Sequence, residues 1–113
     1  MESKQALAAL AALSQETRLA IHRLLVEAGP TGLSVGEIGA AVKTAPATLS
    51  FHLKELANAG LALTRQEGRY IYYSADYDRI KSLVAFLTEN CCARDCPSSC
   101  APPRRASTER SKP

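Results

Sequence analysis

Two short helix signals follow one another between residues 34 and 60, and this succession restricts the fold more than any other feature of the chain. Ser34 and Glu37 form the S-x-x-E pattern of a capping box, which marks the start of a helix. Pro46 suits the first position of a second helix, and Gly60 is a residue type that ends one. Two short helices joined by a few residues predict a helix-turn-helix.

A β-hairpin is predicted directly after these two helices. Residues 61–66 and 69–74 alternate in polarity and are rich in β-forming side chains, and Glu67-Gly68 separates them. Glycine supplies the positive φ that a tight hairpin turn requires. The hairpin would form a wing beside the helix-turn-helix.

Helices are also predicted on both sides of this unit. Residues 3–13 are rich in Ala and Leu, with Leu7 and Leu10 on one side, and Ser14 is interpreted as the N-cap of a helix that Gly29-Pro30 ends. A final helix should begin near Asp76 and end by about Asn90, with an apolar stripe of Ile80, Leu83, Val84 and Leu87. The predicted fold is therefore mainly α with a small β-hairpin, a winged helix-turn-helix.

Charge divides the chain unevenly. The 113 residues have a net charge of +3, but four of the 14 Lys and Arg and only one of the 11 Asp and Glu lie after residue 100. We predict three parts: a winged helix-turn-helix domain over 1–90, a cysteine-rich segment over 91–100, and a basic Pro/Ser/Arg-rich flexible tail over 101–113.

The helix over residues 46–60 has a side that should face DNA. Leu49, Leu53 and Leu56 cluster on one side, which must face the core. The remaining surface carries small, hydroxyl, aromatic and basic residues suited to a major groove, and we predict DNA contacts for Ala47, Thr48, Ser50, Phe51, His52 and Lys54. Phe51 could instead fold back onto the hairpin, and His52 could make only a structural hydrogen bond.

The tip of the predicted hairpin is also basic. Arg65 and Arg69 flank the turn and Tyr70 follows it, which suits contact with backbone phosphates or a minor groove. The other interpretation is a solvated hairpin tip. A single motif of this size binds DNA weakly, so we expect a homodimer formed through the first and last helices.

These residues resemble the ArsR/SmtB family of metal- and metalloid-responsive repressors, in the run from Ser50 to Leu61 and in the Glu-Gly-Arg wing tip. The resemblance implies a homodimer that leaves its operator when a thiophilic ion binds. The cysteine motif of the best-known arsenic sensors is absent from residues 35–39, and the last helix lacks the Asp/His spacing of the zinc sites. Some members resemble this chain in a Glu-Asn-Cys-Cys sequence after the last helix, which implies that Cys91, Cys92 and Cys96 bind As(III).

All four cysteines lie within residues 89–100. Four thiolates around one ion would suit Zn(II) or Cd(II), whereas As(III) or Sb(III) keeps a lone pair and takes three. The role of Cys100 stays open among a fourth ligand, a spare thiol and a delivery residue. Cys91 could also be a small hydrophobic residue at the dimer interface, and a disulfide redox switch is the main rival for the whole cluster.

We therefore expect a cytoplasmic, metalloid-responsive repressor with As(III) or Sb(III) as inducer and no organic cofactor. A redox-sensing or Cd/Pb/Zn-sensing repressor of the same fold, or a metal-binding or protein-interaction module that does not bind DNA, are the alternatives. No secretory signal or membrane span is predicted. His22 is expected to be a surface or boundary residue. Neither His22 nor His52 has a predicted catalytic partner, so an enzyme is not expected.

Overall fold

The computed structural model describes residues 1–94 and shows the winged helix-turn-helix that the sequence predicts. Cys96, Cys100 and the proposed tail over 101–113 lie outside the described residues. The described part consists of five helices and three strands, in the order α1 (Ser3–Leu13), α2 (Glu16–Ala28), β1 (Leu33–Ser34), α3 (Val35–Val42), α4 (Pro46–Asn58), β2 (Ala62–Glu67), β3 (Tyr70–Ala75) and α5 (Tyr77–Leu87).

The capping signals of the helix-turn-helix are confirmed. The Ser34 Oγ accepts from the Glu37 backbone N–H at 3.2 Å, and a Glu37 carboxylate oxygen accepts from the Ser34 N–H at 2.8 Å. Pro46 is at the first position of α4, and Gly60, with φ +80°, follows the end of that helix. These local interactions fix both ends of the pair α3 and α4.

The predicted cap of α2 is wrong by one residue. Ser14 terminates α1, with its hydroxyl donating to the Ala11 carbonyl at 2.7 Å. Gln15 is the N-cap of α2, and its side-chain oxygen accepts from the Arg18 backbone N–H at 2.9 Å. A serine between two adjacent helices can bond to either of them, and here the end of α1 takes it.

The sheet has one strand more than predicted. Its order is β1-β3-β2 and both pairings are antiparallel. The hairpin turn is formed by Gly68 and Arg69, one residue later than expected, because Glu67 pairs with Tyr70 as the last rung. Leu33 of the short strand β1 pairs with Tyr73, and Gly32 permits this approach, since a Cβ there would collide with the Tyr73 carbonyl.

The core lies where α1, α2, α4 and the base of the sheet meet, and α3 and α5 cover its flanks. Its fully buried large side chains are Ile21, Leu25, Ile38, Leu53, Leu56 and Leu61. His22 is also buried, at 5% exposure, so the prediction of a surface or boundary histidine is wrong. His22 lies three positions before the buried Leu25, so the two side chains are on the same side of α2.

The first and last helices present apolar side chains outward. In α1 the core contacts come from Ala6, Ala9 and Ala12, whereas Leu7 and Leu10 are exposed. In α5 only Leu83 of the predicted stripe is buried, and Val84 and Leu87 are more than half exposed. The two helices are also in contact with each other.

Candidate DNA-binding surface and cysteine cluster

The helix α4 divides into an inner and an outer side as predicted. Leu49, Leu53 and Leu56 are no more than 2% exposed. Five of the six α4 side chains predicted to contact DNA lie on the opposite, exposed side, and we call this set the α4 outer face: Ala47, Thr48, Ser50, Phe51 and Lys54. The short side chains at the start of α4 leave its first turns open to a close partner.

Phe51 points away from the core. Its side chain is 55% exposed, and the only ring contact described for it is with His52, at a centroid distance of 5.6 Å and a tilt of 59°. This exposure favours the outward orientation of Phe51 over the alternative in which it folds onto the hairpin. A phenyl ring held outward on a helix can contact thymine methyl groups in a groove.

His52 lies deeper than the rest of the predicted DNA-contacting set. It is 7% exposed, and its Nδ1 is 3.2 Å from a terminal guanidinium nitrogen of Arg18. The structural hydrogen bond that the sequence left open is thus present. Arg18, which sequence reasoning missed, lies 34 positions away on α2, and no local pattern signals the contact.

The two arginines of the wing differ in their surroundings. Arg65 is occupied within the protein: its Nε donates to the Glu67 carboxylate at 2.9 Å, a terminal nitrogen donates to the Thr31 carbonyl at 3.0 Å, and its guanidinium lies 4.8 Å from the Tyr72 ring centroid. Arg69 is exposed in the turn itself, next to Tyr70, which is 63% exposed. Arg69 is therefore better placed than Arg65 to reach a partner.

The first two cysteines lie in an irregular turn just after α5. Asn90 and Cys92 both have φ of +60°, and the Cys91 backbone N–H donates to the Thr88 carbonyl at 3.0 Å. The backbone is therefore not helical here, which is the condition under which adjacent cysteines can turn to the same side. Their Sγ atoms lie 3.6 Å apart.

The two cysteines are in different states. Cys91 is an exposed free thiol, and Cys92 is disulfide-bonded. Within residues 1–94, no group of three or more His, Cys, Asp or Glu side chains is arranged to hold a metal ion. A complete thiolate site would need sulfurs in addition to this pair, and the predicted ones, Cys96 and Cys100, lie outside the described residues.

Comparison with known proteins agrees with this architecture. Residues 13–65 match the family model of a helix-turn-helix domain. A homologue of the cadmium resistance transcriptional regulatory protein CadC from Staphylococcus aureus is 41% identical over 67% of this chain, and the match spans 63% of that protein's length. No helix among the described residues is long and apolar enough to cross a membrane.

Two solved structures extend the comparison to most of the described fold. An ArsR-like transcriptional regulator from Rhodococcus sp. RHA1 superposes with a TM-score of 0.69 at 27% identity, covering 80% of this chain and 81% of that one. The homodimeric winged helix-turn-helix DNA-binding domain Mb0332 from Mycobacterium bovis gives a TM-score of 0.61 at 30% identity, covering 78% and 82%.

The fold, the exposed side of α4 and the wing define a transcriptional regulator of the winged helix-turn-helix class, and its relatives are regulators rather than enzymes. Within that class the chain belongs to the ArsR/SmtB family. The resemblance found in the sequence is thereby confirmed.

Proposed function

We propose that this protein is a homodimeric repressor that binds operator DNA and is released when As(III) or Sb(III) binds its cysteine segment. The observation that carries the proposal is the pair Cys91 and Cys92, whose sulfurs lie 3.6 Å apart directly after α5. Two sulfurs bound at about 2.3 Å to one ion are at most about 3.8 Å apart at the tetrahedral angle and somewhat closer in a three-sulfur pyramid, so this pair is spaced for chelation once Cys92 is reduced.

The donor set suits a thiophilic ion. Thiolates select soft centres, and in the described residues no carboxylate or imidazole completes a site around the pair. Cys96 is proposed as the third ligand of a three-sulfur site, which leaves Cys100 as a fourth thiol beyond that set. The ion would supply no redox or acid–base chemistry, only a crosslink among thiolates that have lost their protons.

DNA recognition is assigned to the α4 outer face and the wing. The small and hydroxyl residues Ala47, Thr48 and Ser50 permit close approach to a major groove, while Phe51 offers apolar contact with thymine methyls. Lys54 and Arg69 are proposed to contact phosphates, with Tyr70 beside the turn. Arg65 is proposed to contribute less to DNA binding, because its guanidinium already has three partners within the protein.

The dimer interface is assigned to α1 and α5. Their exposed apolar side chains, Leu7, Leu10, Val84 and Leu87, need a partner in water, and a second copy would supply one. The homodimeric state of the M. bovis domain supports this assignment. Because Cys91 follows α5 by only a few residues, an ion bound there would act at the edge of the interface.

Release from DNA would follow from a difference in dimer geometry. Two recognition helices bind a two-fold operator only at the correct separation, so an ion that favours another separation weakens DNA binding. Couplings of this kind are about 1 to 3 kcal/mol, or roughly 5- to 150-fold in affinity. The kinship with a cadmium resistance regulator supports response to a thiophilic ion.

The decisive experiment is a titration of the protein–DNA complex with As(III), Sb(III), Cd(II), Pb(II) and Zn(II), with all thiols kept reduced. As(III) or Sb(III) should release the DNA at the lowest concentration. The double variant Cys91→Ser/Cys92→Ser should bind DNA normally but no longer respond, and Cys100→Ser serves as the comparison. Unchanged release by the double variant would show that the inducer binds elsewhere.

A second candidate, a thiol-redox-sensing repressor of the same fold, is favoured by one observation. Cys92 is disulfide-bonded, and its sulfur lies next to the free thiol of Cys91. A thiol beside a disulfide is arranged for exchange. If this candidate is correct, the thiol oxidant diamide should release the reduced protein from DNA, and arsenite should not.

A further inference from the structure

One arginine, Arg18, is in contact with three helices. The Arg18 Nε donates to the Ala12 carbonyl at 2.7 Å, and the Arg18 backbone N–H donates to the Gln15 side chain at 2.9 Å. A terminal guanidinium nitrogen lies 3.2 Å from the His52 Nδ1. A single side chain therefore connects the end of α1, the start of α2 and the middle of α4.

The contact with α1 is made at a group that the helix leaves unsatisfied. Ala12 lies in the last turn of α1, where carbonyls have no partner further along the helix. Arg18 supplies that partner, and as a cation it also complements the negative end of the helix dipole. The hydrogen bond therefore holds the guanidinium in a fixed position relative to α1.

The contact with α4 determines where His52 carries its proton. A guanidinium has only donors, so Nδ1 must accept the hydrogen bond, and the neutral ring then carries its hydrogen on Nε2. Among residues 1–94, the only fully buried side-chain nitrogen or oxygen without a hydrogen bond is the His22 Nε2. The His52 Nε2 has no described partner either, so it must be in contact with solvent.

We infer that Arg18 is a positioning residue for DNA binding, which holds the His52 Nε2–H ready to donate to a DNA phosphate and links α4 to α1. The inference rests on the proposed function, in which α4 reads DNA and α1 belongs to the dimer interface. Arg18 acts through His52 and does not itself touch DNA. A shift of α4 relative to α1 lengthens either the Arg18 hydrogen bond to Ala12 or the one to His52. The geometry of the dimer and the position of the recognition helix are therefore coupled through Arg18.

The first test is a double-mutant cycle on DNA affinity. The probe is a duplex that the wild-type protein selects from a random-sequence pool. Arg18→Gln should weaken binding about 10-fold, the effect of losing one charge-assisted hydrogen bond. His52→Asn keeps an acceptor near the Nδ1 position but lacks the Nε2–H, so it should cause a similar loss of affinity. The double variant should bind DNA no less tightly than whichever single variant has the lower affinity.

Arg23→Gln is the matched control, because Arg23 is an exposed arginine on the same helix and its replacement changes the net charge equally. Its affinity should stay within about 2-fold of wild type, since surface charges have small effects. Equal losses for Arg18→Gln and Arg23→Gln, or additive losses in the double variant, would refute the role of Arg18. If the wild-type protein selects no duplex, the proposed function itself fails.

The second test does not depend on DNA binding. Nitrogen-15 spectra of the wild-type imidazole rings should show His52 with an unprotonated Nδ1 and a protonated Nε2 near neutral pH. In Arg18→Gln the two tautomers should become mixed, a change that a loss of stability alone does not produce. A wild-type His52 protonated on Nδ1 would overturn the inference.

Discussion

His22 lies inside the molecule with its Nε2 unbonded among the described residues. Burial disfavours the charged imidazolium and lowers the pKa of His22 from the ordinary value of 6.5. The unfolded chain therefore takes up a proton at this residue before the folded protein does. The neutral, buried His22 therefore contributes fully to the free energy of unfolding above pH 6.5, and this contribution is lost as the pH falls toward the lowered pKa.

We predict that replacing His22 with leucine makes the stability of the protein less dependent on pH. Between about pH 7.5 and 5 the free energy of unfolding of the wild type should fall more steeply, with His22 contributing up to about 1.4 kcal/mol per pH unit. Urea unfolding at several pH values, at constant ionic strength, measures both slopes. If the free energy of unfolding depended on pH equally in His22→Leu and wild type, His22 would titrate alike in the folded and unfolded states.

The two histidines also show what a sequence pattern can and cannot locate. Helical periodicity correctly placed Leu49, Leu53 and Leu56 in the core, because a side chain's direction on a helix follows from its position. It did not find the bond between His52 and Arg18, which depends on how α2 packs against α4. Single side chains near the edge of an apolar stripe are therefore where sequence reasoning failed.

Among the elements, those with local signals were the predictable ones. The capping box of Ser34 and Glu37 and the residues Pro46 and Gly60 act within a few positions, so the helix-turn-helix could be read directly. Strand β1 could not be predicted, since two residues carry no periodicity and its partner Tyr73 is 40 positions away. The wing turn was misplaced by one residue because Gly68 is compatible with either register.

The wing provides a prediction in which two neighbouring arginines have different effects. Arg69→Gln should weaken DNA binding and reduce the slope of log affinity against log salt by about 0.9, the change for one lost phosphate contact. Arg65→Gln should leave that slope nearly unchanged, because Arg65 is bonded to Thr31 and Glu67 within the protein. Affinity measured over a range of salt concentrations gives both slopes.

The two substitutions make the same change in charge on one hairpin, so each is a control for the other. Thermal unfolding provides a second comparison: Arg65→Gln should lower the melting temperature slightly, through loss of the contact that ties the wing to Thr31. Arg69→Gln should not lower it. A larger salt effect for Arg65 than for Arg69 would mean that the wing rearranges on DNA.

At the scale of the whole molecule, the apolar residues that the fold leaves exposed matter as much as those it buries. Val84 and Leu87 of α5 and Leu7 and Leu10 of α1 lie on helices that pack together, and each is at least 40% exposed. The sequence predicted an apolar side on each helix and placed the dimer interface there. How these residues meet a second copy depends on contacts between chains, which periodicity within one chain does not specify.

The dimer assignment predicts that a charge at the outer side of α5 separates the subunits. Val84→Glu should weaken dimerisation about 100-fold or more, because two-fold symmetry would bury the unpaired carboxylate twice. Leu63→Glu is the matched control, since Leu63 is 53% exposed, close to the 56% of Val84, but lies on the wing strand β2. Sedimentation equilibrium should find Val84→Glu monomeric at concentrations where wild type and Leu63→Glu are dimeric. Binding to a two-half-site duplex should fall with it, because a monomer contacts one half-site; a dimeric Val84→Glu would move the interface away from α5.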